Sequence, residues 1–242
     1  MNKYSIDYQK KIQFILSKII REESEKITIA ANMIKSSHLN GGQLYVFGTG
    51  HSHMMAEESF HRAGGFAGAC PIIDPNIDFS KGAEKATKLE RTPNLAKKVL
   101  NKYKIQKKDI LIIFSNSGVN HVPVEAALIA KQKKIKTISI LSYNYSKVAP
   151  LSSLKKRLYE ITDIFIDNKI PIGDSLTKIN NMTVGPASTI VGSFILNSIL
   201  VELAGKVKNF KPFPFYISSN MPNANENNDV LIKKYKKLNK HL

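Results

Sequence analysis

Small polar residues and glycines cluster twice in this chain, each time directly after an apolar run. The first cluster is Gly48-Thr-Gly-His-Ser52, after Leu44-Tyr-Val-Phe47. The second is Ser115-Asn-Ser-Gly118, after Ile110-Leu-Ile-Ile-Phe114, with Asn120 and Pro123 beyond it. Such residues at a strand-to-helix junction suit an anion, because free backbone N–H groups and the helix dipole face the ligand. Glycines let the backbone approach closely, and hydroxyls add adjustable donors. Two such loops on one parallel sheet predict a single anionic ligand, a phosphate above all, held between them. The candidate binding residues are Gly48, Gly50, His51, Ser52, Ser115, Asn116, Ser117, Gly118 and Asn120, with Ser142 opening a third polar segment.

Acid/base chemistry would come from the residues just after the first loop. On a helix, Glu57 shares a face with His61 and Glu58 shares one with Arg62. A carboxylate partly desolvated beside the ligand gains a raised pKa suited to proton transfer, with His61 or His121 as the second acid/base group. In the competing reading, both glutamates are solvated or salt-bridged helix positions. Histidines 51, 53 and 61 invite a metal reading. No cysteine joins them, and His51 and His53 straddle a loop-to-helix transition, so hydrogen bonding is preferred and neither a metal nor a cofactor is expected. The dinucleotide fingerprint fails at His53, where its third glycine would stand, although Asp74 could imitate the acidic partner. The Tyr143 and Tyr145 pair could stack on a ligand or cap the core.

These side chains need a scaffold of alternating strands and helices. Apolar residues from Ile12 to Ile34 recur at helical spacing, predicting a long N-terminal helix from Tyr8 to about Lys35, ended by Gly41-Gly42. Strands are predicted at 44–47, near 69–73, at 110–114, at 137–141 and around 164–166. Helices are predicted over 52–63, closed by Gly64-Gly65, around 95–103 and from about Pro123. Residues 76–94 read as polar and irregular, a flap or subunit contact. Short, continuously apolar strands belong to a sheet covered on both faces. The expected class is therefore α/β, a doubly wound five-stranded parallel sheet. Residues 1–40 are expected to form an N-terminal helical extension, 41–210 the binding domain, and 211–242 a C-terminal tail with an amphipathic helix.

Bulk composition narrows the classes further. The chain has 242 residues, 43% of them hydrophobic, enough for a substantial core. The formal net charge of +17 would raise nucleic acid as a partner. The excess is mostly lysine, spread over the polar ends and faces of predicted helices, so a solvated surface that attracts anionic ligands is preferred and no nucleic acid is expected. Cys70 stands alone, which excludes an intramolecular disulfide, and its apolar surroundings suit a buried thiol. The start of the chain lacks the apolar segment of a secretory signal, and the apolar stretch 189–205 is interrupted by Asn197 and Glu202. A cytoplasmic protein without a membrane partner is expected. Together with the long N-terminal helix, that stretch offers more apolar face than five strands must cover, predicting a homodimer or larger assembly.

The paired loops resemble those of the SIS (sugar isomerase) domain. More narrowly, Gly48-Thr-Gly-His-Ser-His-Met-Met-Ala-Glu-Glu58 resembles the UPF0309 branch of that family. So do Arg157-Leu-Tyr-Glu160, Ile166-Asp-Asn168, Gly173-Asp174, Val184-Gly-Pro186, Ser219-Asn220 and Glu226-Asn227. The resemblance implies a flavodoxin-like sheet, a phosphorylated sugar or amino sugar as ligand, and a homo-oligomer. It also implies phosphate-loop roles for Ser52, Ser115, Ser117 and Asn120. By direct counting, Arg62 stands where related isomerases and etherases carry a catalytic glutamate. Two activities fit: an aldose/ketose sugar-phosphate isomerase or related amino-sugar-phosphate lyase or etherase, and a non-catalytic phosphosugar sensor.

Overall fold

The computed structural model describes residues 2–242. Helix α1 (Lys3–Leu39) leads through Gly41-Gly42 into β1 (Leu44–Gly48) and then α2 (Met54–Glu58), β2 (Ala69–Pro71), α3 (Ala83–Leu89) and α4 (Leu95–Leu100). Next come β3 (Ile110–Phe114), α5 (His121–Gln132), β4 (Lys136–Leu141), α6 (Tyr143–Val148) and β5 (Ile164–Asp167). The chain closes with β6 (Ser175–Ile179), β7 (Met182–Pro186), α7 (Ser188–Lys206) and α8 (Ala224–Tyr235).

Five strands form one parallel sheet in the order β2-β1-β3-β4-β5. Alternation along the strands sends Leu44, Val46, Ile110, Ile112, Ile138 and Ile140 into one apolar layer, where α1 and α7 cover them. Tyr45, Phe47, Leu111 and Ile113 point the other way, onto α4 and α5. The expected α/β class with both faces covered is what the structure shows. Helix α7 has the length and composition of a bilayer span. Its Val191, Ile195, Leu196, Ile199 and Leu203 are instead buried in the same core as α1 and the sheet. Cys70 is buried under the C-terminal segment, and burial pushes its thiol up to about 12.

Two local expectations require correction, and one element had no expectation. The helix expected over 52–63 is a 3-10 turn at Gly50–His53 followed by the five-residue α2. It stops because Ser59 turns its hydroxyl back onto the Ala56 carbonyl at 2.6 Å and the Phe60 N–H tightens onto Glu57. His61 then takes φ 41°, so it shares no helix face with Glu57. The irregular segment 76–94 contains α3. Residues 175–186 form an antiparallel hairpin, β6–β7, that no apolar run announced. It closes on the start of α1, where Tyr8 donates to the Pro186 carbonyl at 2.6 Å and Thr177 donates to Asp7 at 2.9 Å.

Candidate active site

Both loops end at the carboxyl edge of the sheet, on its adjacent central strands β1 and β3. At the end of β1, a Cβ on Gly48 would lie 2.2 Å from the Ser52 carbonyl oxygen, so only glycine permits the turn. Gly50 follows at φ 55°, and its N–H is taken by the Ile77 carbonyl at 2.8 Å. His51 meets Phe79 edge-on, with ring centroids 4.7 Å apart.

After β3, Ser115 accepts from the Gly118 N–H through Oγ at 3.3 Å and through its carbonyl at 3.1 Å. Asn116 Oδ1 accepts from Asn168 Nδ2 at 2.9 Å. Gly118 sits at φ 62°, where an added Cβ would stand only 3.0 Å from Ser146 Oγ. Asn120 enters α5 in extended conformation without capping it by its side chain. Among the described residues, the backbone N–H groups of Val119, Asn120 and His121 find no acceptor, and of these three residues Asn120 lines the space between the loops. Open donors at a helix start are the kind of groups that suit an anion.

The cleft between the loops has a volume of about 460 Å³. Gly50, His51, Ser52, Ser115, Asn116, Ser117 and Asn120 all line it, and Tyr145 joins them. Gly48 and Gly118 support it through the backbone. Ser142 is buried and structural: its hydroxyl donates to the Ile170 carbonyl at 2.6 Å and accepts from the Tyr145 N–H at the start of α6. Tyr143 packs into the core, stacked on Phe165 at 5.5 Å. Among the described residues, no lysine or arginine lines the cleft.

Acidic side chains reach it from elements that the sequence did not single out. Glu90 stands at the end of α3, with Thr49 donating to its carboxylate at 3.3 Å and its own carbonyl accepting from the Val122 N–H at 3.1 Å. Burial pushes the Glu90 carboxyl above its ordinary value, with Arg91 and the Thr49 hydroxyl opposing the shift. Asp174, at φ 68°, accepts from the Ser188 N–H at 2.8 Å and the Ser188 hydroxyl at 2.6 Å, so its charge serves the start of α7. The resemblance motif Gly173-Asp174 was the only sequence signal for Asp174. Nothing marked Glu90, one of three acids in the polar stretch 76–94, forty-two residues beyond Gly48.

The four acid/base candidates after the loops lie outside the cleft lining. Glu57 is exposed, 3.6 Å from His53 Nδ1. Glu58 pairs with Arg62 and accepts from Asn197 Nδ2 at 3.1 Å and Ser193 Oγ at 3.3 Å, tying α2 to α7. His61 packs on the Tyr216 ring at 4.8 Å. His121 is buried, with Nδ1 3.0 Å from Ser153 Oγ. Among the described residues, no three His, Cys, Asp or Glu side chains converge as metal ligands.

Comparison with known proteins fits this geometry. Residues 7–142 match the SIS domain. The chain belongs to the SIS domain family. Within it, the UPF0309 protein of Geobacillus thermodenitrificans is 39% identical over 233 residues, covering 95% of this chain and 94% of that one. This SIS domain also superposes on the phosphoheptose isomerase of Francisella tularensis with a TM-score of 0.55 at 16% identity, covering 84% of this chain and 98% of that one. The sugar isomerase domain of an RpiR transcription factor from Sphaerobacter thermophilus gives a TM-score of 0.50 at 13% identity, covering 98% and 100%. At those identities the two structures show the fold.

Proposed function

We propose that this protein binds a phosphorylated sugar between its two loops and moves a proton beside the sugar carbonyl, as an aldose/ketose isomerase or a related amino-sugar-phosphate lyase or etherase does. The open N–H groups at the start of α5, where Asn120 lines the cleft, carry the reading. With the Ser115, Ser117 and Asn120 side chains they offer a phosphate neutral donors and a helix dipole, and the cleft adds no cation of its own. The phosphoheptose isomerase among the structural neighbours points the same way.

In this reading Glu90 is the base. Its carboxyl lines the ligand space, is held by a single weak hydrogen bond, and has the raised pKa that proton transfer requires. For isomerisation it takes the proton from the carbon next to the carbonyl and returns it to the former carbonyl carbon. Between the two steps the hydroxyl proton passes from the neighbouring carbon's oxygen to the former carbonyl oxygen, and nearby hydroxyls of the cleft steady the enediolate. Turnover of sugar phosphates by Glu90→Gln, Glu57→Gln and Glu58→Gln tests the assignment. Glu90→Gln is expected to lose about a hundredfold or more in kcat with binding retained. Full kcat in Glu90→Gln would remove it from the chemistry, and binding without turnover in the unaltered protein would leave the sensor reading.

The same proposal includes a cytoplasmic homodimer. Ile20 on α1 and Val201 on α7 are exposed beside Phe213 and Ile217, an apolar face that the single chain leaves open. Light scattering at micromolar concentration is expected to give at least twice the chain mass; a monomer there would refute the assembly.

A further inference from the structure

Two helices, α5 and α7, begin at the cleft, and the chain treats their first turns differently. At α5 the N–H groups of Val119, Asn120 and His121 are open. At α7 the chain supplies an anion of its own. Asp174 Oδ1 accepts from the Ala187 N–H at 3.2 Å and the Ser188 N–H at 2.8 Å, and Oδ2 accepts from the Ser188 hydroxyl at 2.6 Å. A carboxylate so placed takes the position at a helix start that a phosphate could otherwise take. Asp174 reaches it from φ 68°, a costly conformation for a residue with a Cβ. Asp174 and Ser188 both line the cleft, Glu90 adds a second carboxylate, and among the described residues no lysine or arginine joins them there.

The net charge of +17 draws any anion toward the molecule, and a doubly phosphorylated one more strongly. Inside the cleft the balance reverses, because like charges brought together away from bulk water repel more strongly than at the surface. The volume of about 460 Å³ lies within the range of small-molecule sites, so charge rather than bulk is what excludes. We propose that Asp174 is a specificity-determining residue, which restricts the cleft to sugars with one phosphate and rejects those that carry a second at the other end. One helix start is left open for the ligand's phosphate, and the other is closed to phosphate by the chain's own carboxylate. The inference rests on the phosphosugar reading of the cleft and states which members of that class it turns away.

Calorimetric titration of fructose 6-phosphate against fructose 1,6-bisphosphate, and of glucose 6-phosphate against glucose 1,6-bisphosphate, tests the assignment. The unaltered protein is expected to bind at least one monophosphate about tenfold or more tighter than its bisphosphate, a discrimination within reach of like-charge repulsion in a partly enclosed site. Asp174→Asn keeps an oxygen for the two N–H groups, offers an amide that the Ser188 hydroxyl can accept from, and tolerates a positive φ. It is expected to bind that bisphosphate about tenfold tighter than the unaltered protein does. Loss of a merely structural contact weakens binding, so a gain in affinity separates the two roles. Asp229→Asn makes the same change of charge on the exposed surface of α8, outside the cleft lining, and is expected to leave the discrimination as it is. Bisphosphates that bind the unaltered protein as tightly as their monophosphates overturn the exclusion and leave the phosphosugar reading standing. Discrimination that survives Asp174→Asn, or that Asp229→Asn relaxes equally, overturns the role of Asp174. If none of the four sugars binds, both readings fall together.

Discussion

The loop after β3 is held by the body of the sheet, whereas the loop after β1 is held by the flap above it. Ser115 to Asn120 takes its support from β4, β5 and the segments that follow them. The Ser115 N–H donates to Ile140, Asn116 is pinned by Asn168, and the Gly118 carbonyl accepts from the Leu158 N–H at 2.8 Å. Asn168 is fixed in turn by its place beside Asp167 and Lys169, which join Glu22 and Glu23 of α1 in a largely buried ion cluster. Thr49 to Ser52 instead leans on residues 77–90. Ile77 accepts from Gly50, Phe79 meets His51, and Glu90 accepts from Thr49. That flap is mostly exposed, with Ile77 and Ala86 as its buried anchors. On the proposed function the difference separates two tasks. A phosphate grip works best preorganised, while the reacting end needs a side that can open for entry and close over the sugar.

The strongest way to break this comparison is to remove the hydroxyls of the better-supported loop. Ser115→Ala combined with Ser117→Ala is expected to weaken a phosphosugar by about 1.5 to 3 kcal/mol for each lost bond to a charged group. The unphosphorylated sugar should be affected far less, as titration of both ligands will show. Equal losses would mean that this loop is not the phosphate grip.

A smaller effect sharpens the flap side. Because burial raises the Glu90 carboxyl, the folded chain holds that proton at pH values where the unfolded chain, near 4.5, has released it. The stability this contributes is present below pH 4.5 and is lost as pH rises through the higher folded value. Glu90→Gln, which cannot ionise, is therefore expected to melt above the unaltered protein at neutral pH, with the gap closing below pH 4.5. A rise in stability alongside a loss of turnover would mark strain kept for function. Identical melting curves across pH would show that the flap leaves Glu90 solvated.

The sequence carried the sheet because each central strand is an unbroken apolar run, a pattern that only a sheet covered on both faces satisfies. It also carried both ligand loops, because glycines and hydroxyls at a strand end record a local backbone demand. Gly48 is required by contacts within five residues of itself, and Gly118 by its own positive φ, with Leu141 and Ser146 crowding it from the next strand end and α6. Where long-range packing decided, the sequence was silent or misleading. The spacing of Glu57 and His61 implied a shared helix face, but α2 ends at Glu58 and the chain bends away toward Tyr216. The β6–β7 hairpin has few buried positions and is held by the remote start of α1, so its own residues show little alternation.

What the amino-acid sequence determined by itself was the class of fold, the two glycine- and hydroxyl-rich turns at the strand ends and the family, since all three are written in residues adjacent along the chain. What only the tertiary structure decided was which acid lines the cleft and how the helices close around it. Glu90 acquires its raised proton affinity from burial among neighbouring elements, against the opposing pull of the Thr49 hydroxyl, and Gly192 leaves room for Met55 and Phe114 where three separate elements meet. Local backbone demands are legible one segment at a time. Desolvation and cavity shape are properties of segments brought together, and no single segment encodes them.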